Sequence, residues 1–383
     1  MPRIIAKTLQ ALEEPLAAEL RDLGATDVNV LTRAVESTMD WDTLYRAHLH
    51  SRLALRFIQP IAEFEAEDEK QFYGRARQVP FEKYMNVTDT LFVQPVVYSS
   101  TFTHSHFMAL KLKDAICDRF RSKTGKRPSV NKDRPSVLFV LTIMEKTVHI
   151  ALDATGGSLH RRGYRGDRGG EAPLNEVLAA GLLARTNWEP GMPLVDGMTG
   201  SGTFVVEALM RALNAPPSKL RDEYALQRWR GFTPDRWAEL RAEALGQEEA
   251  GYPPILGLEI SERQMTQAKD NLMRAGYRPI HHLKHMDFFD FQPRSHDKSW
   301  DSGVVVLNPP YDERMKHDDI EGLYSRIGDH LKQHFTGWDA WILTANRIAM
   351  KHIGLRTAQR IEVMNGKLHA TWLHYPLYAG SKR

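Results

Sequence analysis

An apolar run from Val304 to Leu307 ends in Asn308-Pro309-Pro310-Tyr311. Proline has no N–H to donate, so a strand cannot carry its ladder through that pair. The Asn308 amide offers one acceptor oxygen and one NH2 group. Two prolines fix the backbone, so the Pro309 carbonyl can point inward beside the amide oxygen. Two acceptors held together match the two hydrogens of an exocyclic amine. Tyr311 can then lie flat on a ring, as aromatic side chains do with extruded bases. The chemistry suited to this stretch is the holding of a planar amine.

A second constellation is "PLVDGMTGSGTFVVEAL", residues 193–209. A short apolar strand ends at Asp196, and Gly197, Gly200 and Gly202 follow before a helix opens at Thr203. Glycines let a backbone approach a ligand closely, and a helix N-terminus offers free N–H groups. The loop Gly200-Ser201-Gly202-Thr203 lacks the Gly-Lys-Ser/Thr ending of a phosphate loop, and its spacing does not fit a dinucleotide fingerprint. A carboxylate just before the glycines suits a ligand bearing an amino or sulfonium charge. A ligand-free glycine turn is the plainer reading of this segment alone. Two further apolar strands end on carboxylates, "PPILGLEIS" at Glu259 and "LKHMDFFDF" at Asp287. One strand-tip carboxylate is ordinarily a helix N-cap. Three after successive strands point to a ligand at the carboxyl ends of a sheet, with Glu259 placed to accept from ribose hydroxyls.

The elements that position these residues alternate from about Leu174 onward. Helices are expected over 174–186, 203–213, 233–245, 262–274 and 319–335. Strands are expected over 192–196, 254–258, 280–286, 302–307 and 338–344, with a final strand in "KLHATWLHYPLYAG". Such alternation predicts a parallel, doubly wound sheet. An Arg- and Trp-rich insertion, "SKLRDEYALQRWRGFTPDRWAEL", separates the glycine loop from the next strand. Upstream, leucines at 9, 12, 16, 20 and 23 give a helix closed by Gly24. With "VNVL" and a helix around Leu44–Leu53 they suggest a small β–α–β–α unit. "DTLFVQPVVYS", a helix over 105–122, "SVLFVLTI" and "TVHIALDA" make a second α+β unit ending near Asp153. The acidic 62–70 stretch reads as a solvated surface segment.

The chain has 383 residues, which implies two or three domains. Its single cysteine, Cys117, excludes a disulfide framework and a thiolate metal site. No stretch approaches the ~20 apolar residues of a membrane helix, and the N-terminus has no secretory apolar core. A cytoplasmic protein with no membrane and no metal is therefore expected; His104 and His106 read as surface or cap residues. Net charge is only +3. Positive charge is concentrated in Arg119, Arg121, Lys123, Lys126, Arg127, Lys132 and Arg134, against Asp133 alone, and in Arg161, Arg162, Arg165 and Arg168, against Asp167. A basic run is usually a solvated face. Beside a site for a base amine, these runs become candidates for phosphate contact.

The ordered set D-x-x-x-GSGT, an acidic strand tip and NPPY resembles S-adenosylmethionine-dependent amino-methyltransferases. "HRRGYRGDRGGEAPLNEVLAAGLL", "GSGTFVVEALM" and "NPPYDER" narrow the resemblance to the guanine-N2 methyltransferases of 23S ribosomal RNA, above all the N-terminal half of the bifunctional enteric enzymes. "HFMALKLKDAICDRF" with "RPSVNKDRPSVLFVLTIMEKTVHIALDATG" is similar to their RNA-binding THUMP domain. The resemblance implies an α/β protein in three domains: ferredoxin-like (1–60), THUMP (61–156) and a Rossmann-like methyltransferase (157–383). It implies S-adenosylmethionine held by Asp196, Gly200, Ser201, Gly202, Thr203, Glu259, Asp287 and Asn308. Catalysis falls to Asn308, Pro309, Pro310 and Tyr311, and phosphate contacts to Arg119, Lys123, Lys126, Arg127, Lys132, Arg161, Arg162 and Arg165. The implied partner is 23S rRNA of the large-subunit precursor, bound by a monomer. The family usually has Asp-Pro-x-Cys before Gly-Ser-Gly-Thr, where this chain has Asp196-Gly197-Met198-Thr199. The enteric enzymes also continue into a second methyltransferase, so guanine-N7 methylation is expected to be absent here. Alternatives are an adenine-N6, tRNA or protein-glutamine methyltransferase, or a non-catalytic RNA-binding assembly factor.

Overall fold

A computed structural model describes residues 2–166, 173–310 and 320–378. Its first sheet has eight strands: β1 (Arg3–Lys7), β2 (Thr26–Leu31), β3 (Ala34–Thr38), β4 (Arg56–Glu65), β5 (Thr90–Tyr98), β6 (Ser129–Val130), β7 (Val137–Met144) and β8 (Thr147–Asp153). They run in the order β2-β3-β1-β4-β8-β7-β5-β6. The two N-terminal units thus share one continuous sheet, joined where β4 pairs antiparallel with β8. The expected boundary at 60/61 falls inside β4. The acidic stretch is likewise not only a surface loop. Its first residues, 62–65, belong to β4 with glutamates outward, and its last begin the helix Glu69–Ala76, capped by the Asp68 carboxylate on the Gln71 N–H.

The opening unit also contains a strand that the β–α–β–α reading lacks. β3 returns from β2 through a tight turn at Arg33, which takes a positive φ of 54°. No Gly, Asn or Asp marks that turn, so it carries no sequence signal. β5 accommodates Pro95 because β7 pairs along its whole length, whereas on the other side β6 covers only Thr90 and Leu91. The proline therefore sits on an open edge.

The second sheet comprises β9 (Leu194–Asp196), β10 (Ile255–Glu259), β11 (Leu283–His285), β12 (Val304–Leu307), β13 (Asp339–Thr344), β14 (Gln359–Asn365) and β15 (Leu368–Pro376), in the order β11-β10-β9-β12-β13-β15-β14. β11 through β13 are parallel; β15 and β14 add an antiparallel hairpin. The sequence reading had one closing strand there and the structure has two, turned at Gly366 with φ 63°. β9 and β12 are neighbours from which the chain winds outward in opposite directions. That is the switch point, where such sheets open a crevice at their carboxyl ends. β9 and β12 are wholly buried between two apolar layers, as central parallel strands must be. Trp341 and Trp372 stack at 5.5 Å, and Phe204 stacks on Trp372 at 5.9 Å. This row of rings supports the helix Thr203–Ala212 that carries the glycine loop.

The insertion docks the two halves. Tyr224, Phe232 and Trp237 pack edge-on or tilted among themselves, and Tyr45 of the first sheet's helix lies 5.5 Å from both Phe232 and Trp237. Arg236 forks onto Asp42, while Arg52 donates to the carbonyls of Met210 and Ala215. Arg221 donates to the carbonyls of Thr155, Gly157 and Ser158. Its aromatic residues therefore belong to the N-terminal core.

Candidate active site

The crevice at the switch point is a cavity of about 1000 Å³, walled by the glycine loop, the tips of β10 and β12, the turn after β11 and the first turns of the helix Ile320–His334. Gly200 and Gly202 take φ values of 56° and 81°, a region costly for other residues. A side chain on Gly202 would also press on Ala268 and Leu272. The helix Thr203–Ala212 begins directly after, so its first N–H groups face the loop without partners inside the helix.

Glu259 organises this loop from the neighbouring strand. One of its oxygens accepts the Gly200 N–H at 2.8 Å and the other the Ser261 N–H at 2.8 Å. Each oxygen retains acceptor capacity for a ligand hydroxyl. Asp287 caps the turn that follows β11 by accepting the Phe289 N–H at 3.1 Å, and it lines the same cavity. Ser201, Thr203 and Asn308 line it too.

Asp196 does not. It is 1% exposed, beneath the loop, where one carboxyl oxygen accepts the Thr199 hydroxyl at 2.6 Å and the other has no partner. Burial pushes its carboxyl up to about 7, against the pull of the Thr199 hydroxyl and the Met198 N–H and with a small further push from Glu259. Its contact with a ligand was expected from its place at the strand tip. The side chain instead turns under the loop and holds it, because Thr199 lies within reach three residues on.

Gly197 also has a structural reason. Its N–H donates to the Val306 carbonyl, and an added Cβ would fall 2.5 Å from Leu307 and 2.6 Å from Phe288. A proline there would lose the bond and meet both side chains. Gly197 thus matches Phe288, which lines this cavity, and the buried Leu307.

Asn308 emerges from β12, whose four residues are fully buried. Its amide oxygen is buried and has no hydrogen-bond partner among the described residues, an arrangement that costs free energy unless a donor is supplied. Pro309 is buried and Pro310 lines the cavity wall. Tyr311 and Arg168 lie outside the described residues. Phe289 and Arg326, which sequence reasoning missed, stack at 4.0 Å and line the same cavity. Arg326 sits on a helix whose amphipathic period was legible; its closeness to the turn after β11 was not.

The basic runs divide. Lys126 and Lys132 are exposed and form no ion pair among the described residues. Lys123 pairs with Glu82, and Arg127 lies 3.8 Å from Asp114. Arg119 forks onto both oxygens of Glu82 at 2.7 Å. Arg161 is exposed. Arg162, only 3% exposed, donates to the carbonyls of Leu159 and Arg52 and lies 3.5 Å from Glu207. Arg165 meets Glu176 at 2.6 Å and donates to the Thr203 hydroxyl and the Leu174 carbonyl. Arg162 is thus corrected from a phosphate ligand to an internal strut, because buried carboxylate and carbonyls claim its donors. Arg165 braces the start of the glycine-loop helix. Among the described residues no group of three or more His, Cys, Asp or Glu could hold a metal ion, and no helix is long and apolar enough to cross a membrane.

Three family models cover most of the chain. Residues 162–374 match an RMKL-like methyltransferase domain, 66–153 a THUMP domain and 3–58 an RlmL ferredoxin-like domain. The "Ribosomal RNA large subunit methyltransferase K/L" of Syntrophotalea carbinolica is 36% identical over 98% of this chain and 53% of its own length. The chain therefore spans about half the length of the K/L relatives it matches. The "Putative RNA methyltransferase slr0064" of Synechocystis sp. is 36% identical over 97% of this chain and 96% of its own. Among solved structures, SMU.472, crystallised in complex with SAH, superposes with a TM-score of 0.89 at 24% identity over 99% of both chains. A Listeria monocytogenes chain described as a "predicted N6-adenine-specific DNA methylase" superposes at 0.86 with 26% identity, over 98% of this chain and 96% of its own.

Proposed function

The chain belongs to the RMKL-like methyltransferase family, and on that premise we propose that it methylates the exocyclic N2 of a guanosine in 23S ribosomal RNA, using S-adenosylmethionine, in the cytoplasm. The observation that carries this reading is the buried, unpartnered amide oxygen of Asn308 in the wall of the cavity that the glycine loop also lines. An acceptor left bare at a strand tip fits an incoming amine hydrogen. The loop and Glu259 fit the cofactor: close backbone approach, helix N–H groups for its carboxylate, and a carboxylate for its ribose.

When bound, S-adenosylmethionine supplies an electrophilic methyl on a sulfonium centre. The residues of the chain do the rest by positioning. Asn308 Oδ1 and the Pro309 carbonyl accept the two N2 hydrogens and turn the nitrogen toward the methyl; Tyr311, next but one along the chain, is the residue type suited to stack on the base. An aniline-like amine is a weak nucleophile, so alignment and the two hydrogen bonds carry most of the acceleration. Glu259 and Asp287 stand at other strand tips, where Glu259 accepts the Gly200 and Ser261 N–H groups and Asp287 the Phe289 N–H. The proton leaves from the Asn308 side to water after transfer.

The exposed Lys126, Lys132 and Arg161 fit phosphate contacts that set register, with the THUMP unit as the RNA-holding module and a monomer sufficient for the site. Mass mapping of 23S rRNA from a strain lacking the gene tests the reading. One missing N2-methylguanosine supports it, and an rRNA with every methyl group in place rejects it. The same pocket would accept the N6 amine of adenine, and the identity of the missing nucleoside separates the two.

A further inference from the structure

Just beyond β13, beside the Asn308 tip, the chain carries a ledge that none of the expected RNA contacts includes. Leu307 pairs with Ile342 in the parallel register, which sets Thr344 level with Pro309. The residues that follow therefore leave the sheet at the same end as the Asn308 tip. Between Asp339 and Glu362 the chain has no acidic residue but carries Arg347, Lys351, Arg356 and Arg360. Arg347, Lys351 and Arg356 are exposed, and none has a carboxylate partner among the described residues. Ile348 projects among them with 64% of its surface exposed.

The ledge is fixed in place. Asn346 accepts the N–H groups of Ile348 and Ala349 at 3.1 and 2.9 Å. Ala349 and Ile353 are buried beneath. At Gly328, the helix Ile320–His334 comes so close that a Cβ would lie 1.7 Å from the Ile353 carbonyl oxygen. That helix supplies Leu323 and Arg326 to the cavity wall. The backbone that carries the cations is therefore held against the helix that walls the pocket, and their charges are left open, in contrast to Arg119 and Lys123, which Glu82 already occupies.

We propose that this ledge grips the RNA strand flanking the target nucleotide, through Arg347, Lys351 and Arg356 on phosphates, while Ile348 takes the space left in the stack when the base is extruded. The occupant is RNA because three exposed cations on a fixed backbone, without a carboxylate partner among the described residues, match a phosphate backbone. An apolar side chain among them matches the faces of unstacked bases. A lone exposed isoleucine is ordinary; one framed by three exposed cations at the end of the sheet that carries Asn308 is not. This inference rests on the RNA-methylation reading above and assigns it a substrate contact.

Two variants test it, each alongside the parent protein. With R347Q/K351Q/R356Q, three lost phosphate contacts lower the salt slope of RNA binding by about 2, so the affinity lost between about 50 and 200 mM salt shrinks by about 20-fold. S-adenosylmethionine binding stays at the parental value. With Ile348→Ala, RNA affinity holds within about 2-fold while single-turnover methylation of a paired target slows by about 10-fold, and the parental rate returns on an RNA whose target guanosine is unpaired. A triple variant with parental slope and affinity overturns the ledge, leaving the methylation reading intact and the patch to a protein partner. An Ile348→Ala defect that persists on the unpaired target overturns the wedge. A parent protein that transfers no methyl to any RNA overturns the reading and the ledge with it.

Discussion

Replacing Asp196 by Asn separates the burial of a charge from the shape that holds the loop. Asp196 is almost wholly buried, with the Thr199 hydroxyl on one oxygen and nothing on the other. Burial raises its carboxyl from 3.8 to about 7. Between those values the native state holds a proton that the unfolded chain has released, so stability falls as pH rises through the window and is level on either side. Three pKa units at 1.36 kcal/mol each amount to about 4 kcal/mol. Asn keeps the acceptor for Thr199 and cannot ionise. Its own amide is left unpaired at every pH, a fixed cost that does not change the slope. Urea unfolding of both proteins from pH 4 to 7.5 should therefore show Asp196→Asn gaining about 4 kcal/mol relative to the parent across that range. Carboxyl-carbon NMR on the native protein should place the titration near neutrality. A constant difference between the two proteins across the range, with a native titration near 4, would refute the assignment of a buried, neutral carboxyl.

Three other perturbations follow from the packing. Gly197→Pro should destabilise the methyltransferase unit by about 3 kcal/mol or more, since it removes the bond to Val306 and drives a ring into Leu307 and Phe288; thermal unfolding reads it, and an unchanged midpoint would show that these side chains can repack. Trp237→Ala should cost about 3–5 kcal/mol and split unfolding into two steps, because that ring joins the insertion to Tyr45; a single parental transition in calorimetry would contradict its role as the clamp. Arg52→Leu should cost about 2–4 kcal/mol by leaving the Met210 and Ala215 carbonyls bare, and a loss below about 0.5 kcal/mol in urea titration would show that water replaces it.

Much of the site could be read from the chain because each part is local. Strand tips followed by glycine, carboxylate or proline announce themselves within ten residues. Glu259, Asp287 and Asn308 do share one cavity. What failed depended on side-chain partners and pairings that residue pattern alone does not reveal. Arg162 reads as a phosphate contact from its basic run, but Glu207 and the Arg52 carbonyl claim it. Asp196 looked like a ligand until Thr199 drew it under the loop. The union of the first two units rests on Ile58 pairing with Asp153, a contact with no local signature. The closing hairpin was half missed because "QRIEVMN" alternates too weakly, with only Ile361 and Val363 buried, to stand out from a loop.

The central claim is that Asn308 presents a guanine N2 amine to the methyl donor. It is tested most directly by incubating purified protein, S-adenosylmethionine and unmodified 23S rRNA, then mapping the product by mass. The account predicts one N2-methylguanosine for the parent protein. For Asn308→Ala it predicts none, with cofactor and RNA affinities within a few-fold of the parent. Methyl transfer by Asn308→Ala at the parental rate, or a parental product methylated elsewhere than guanine N2, would contradict it.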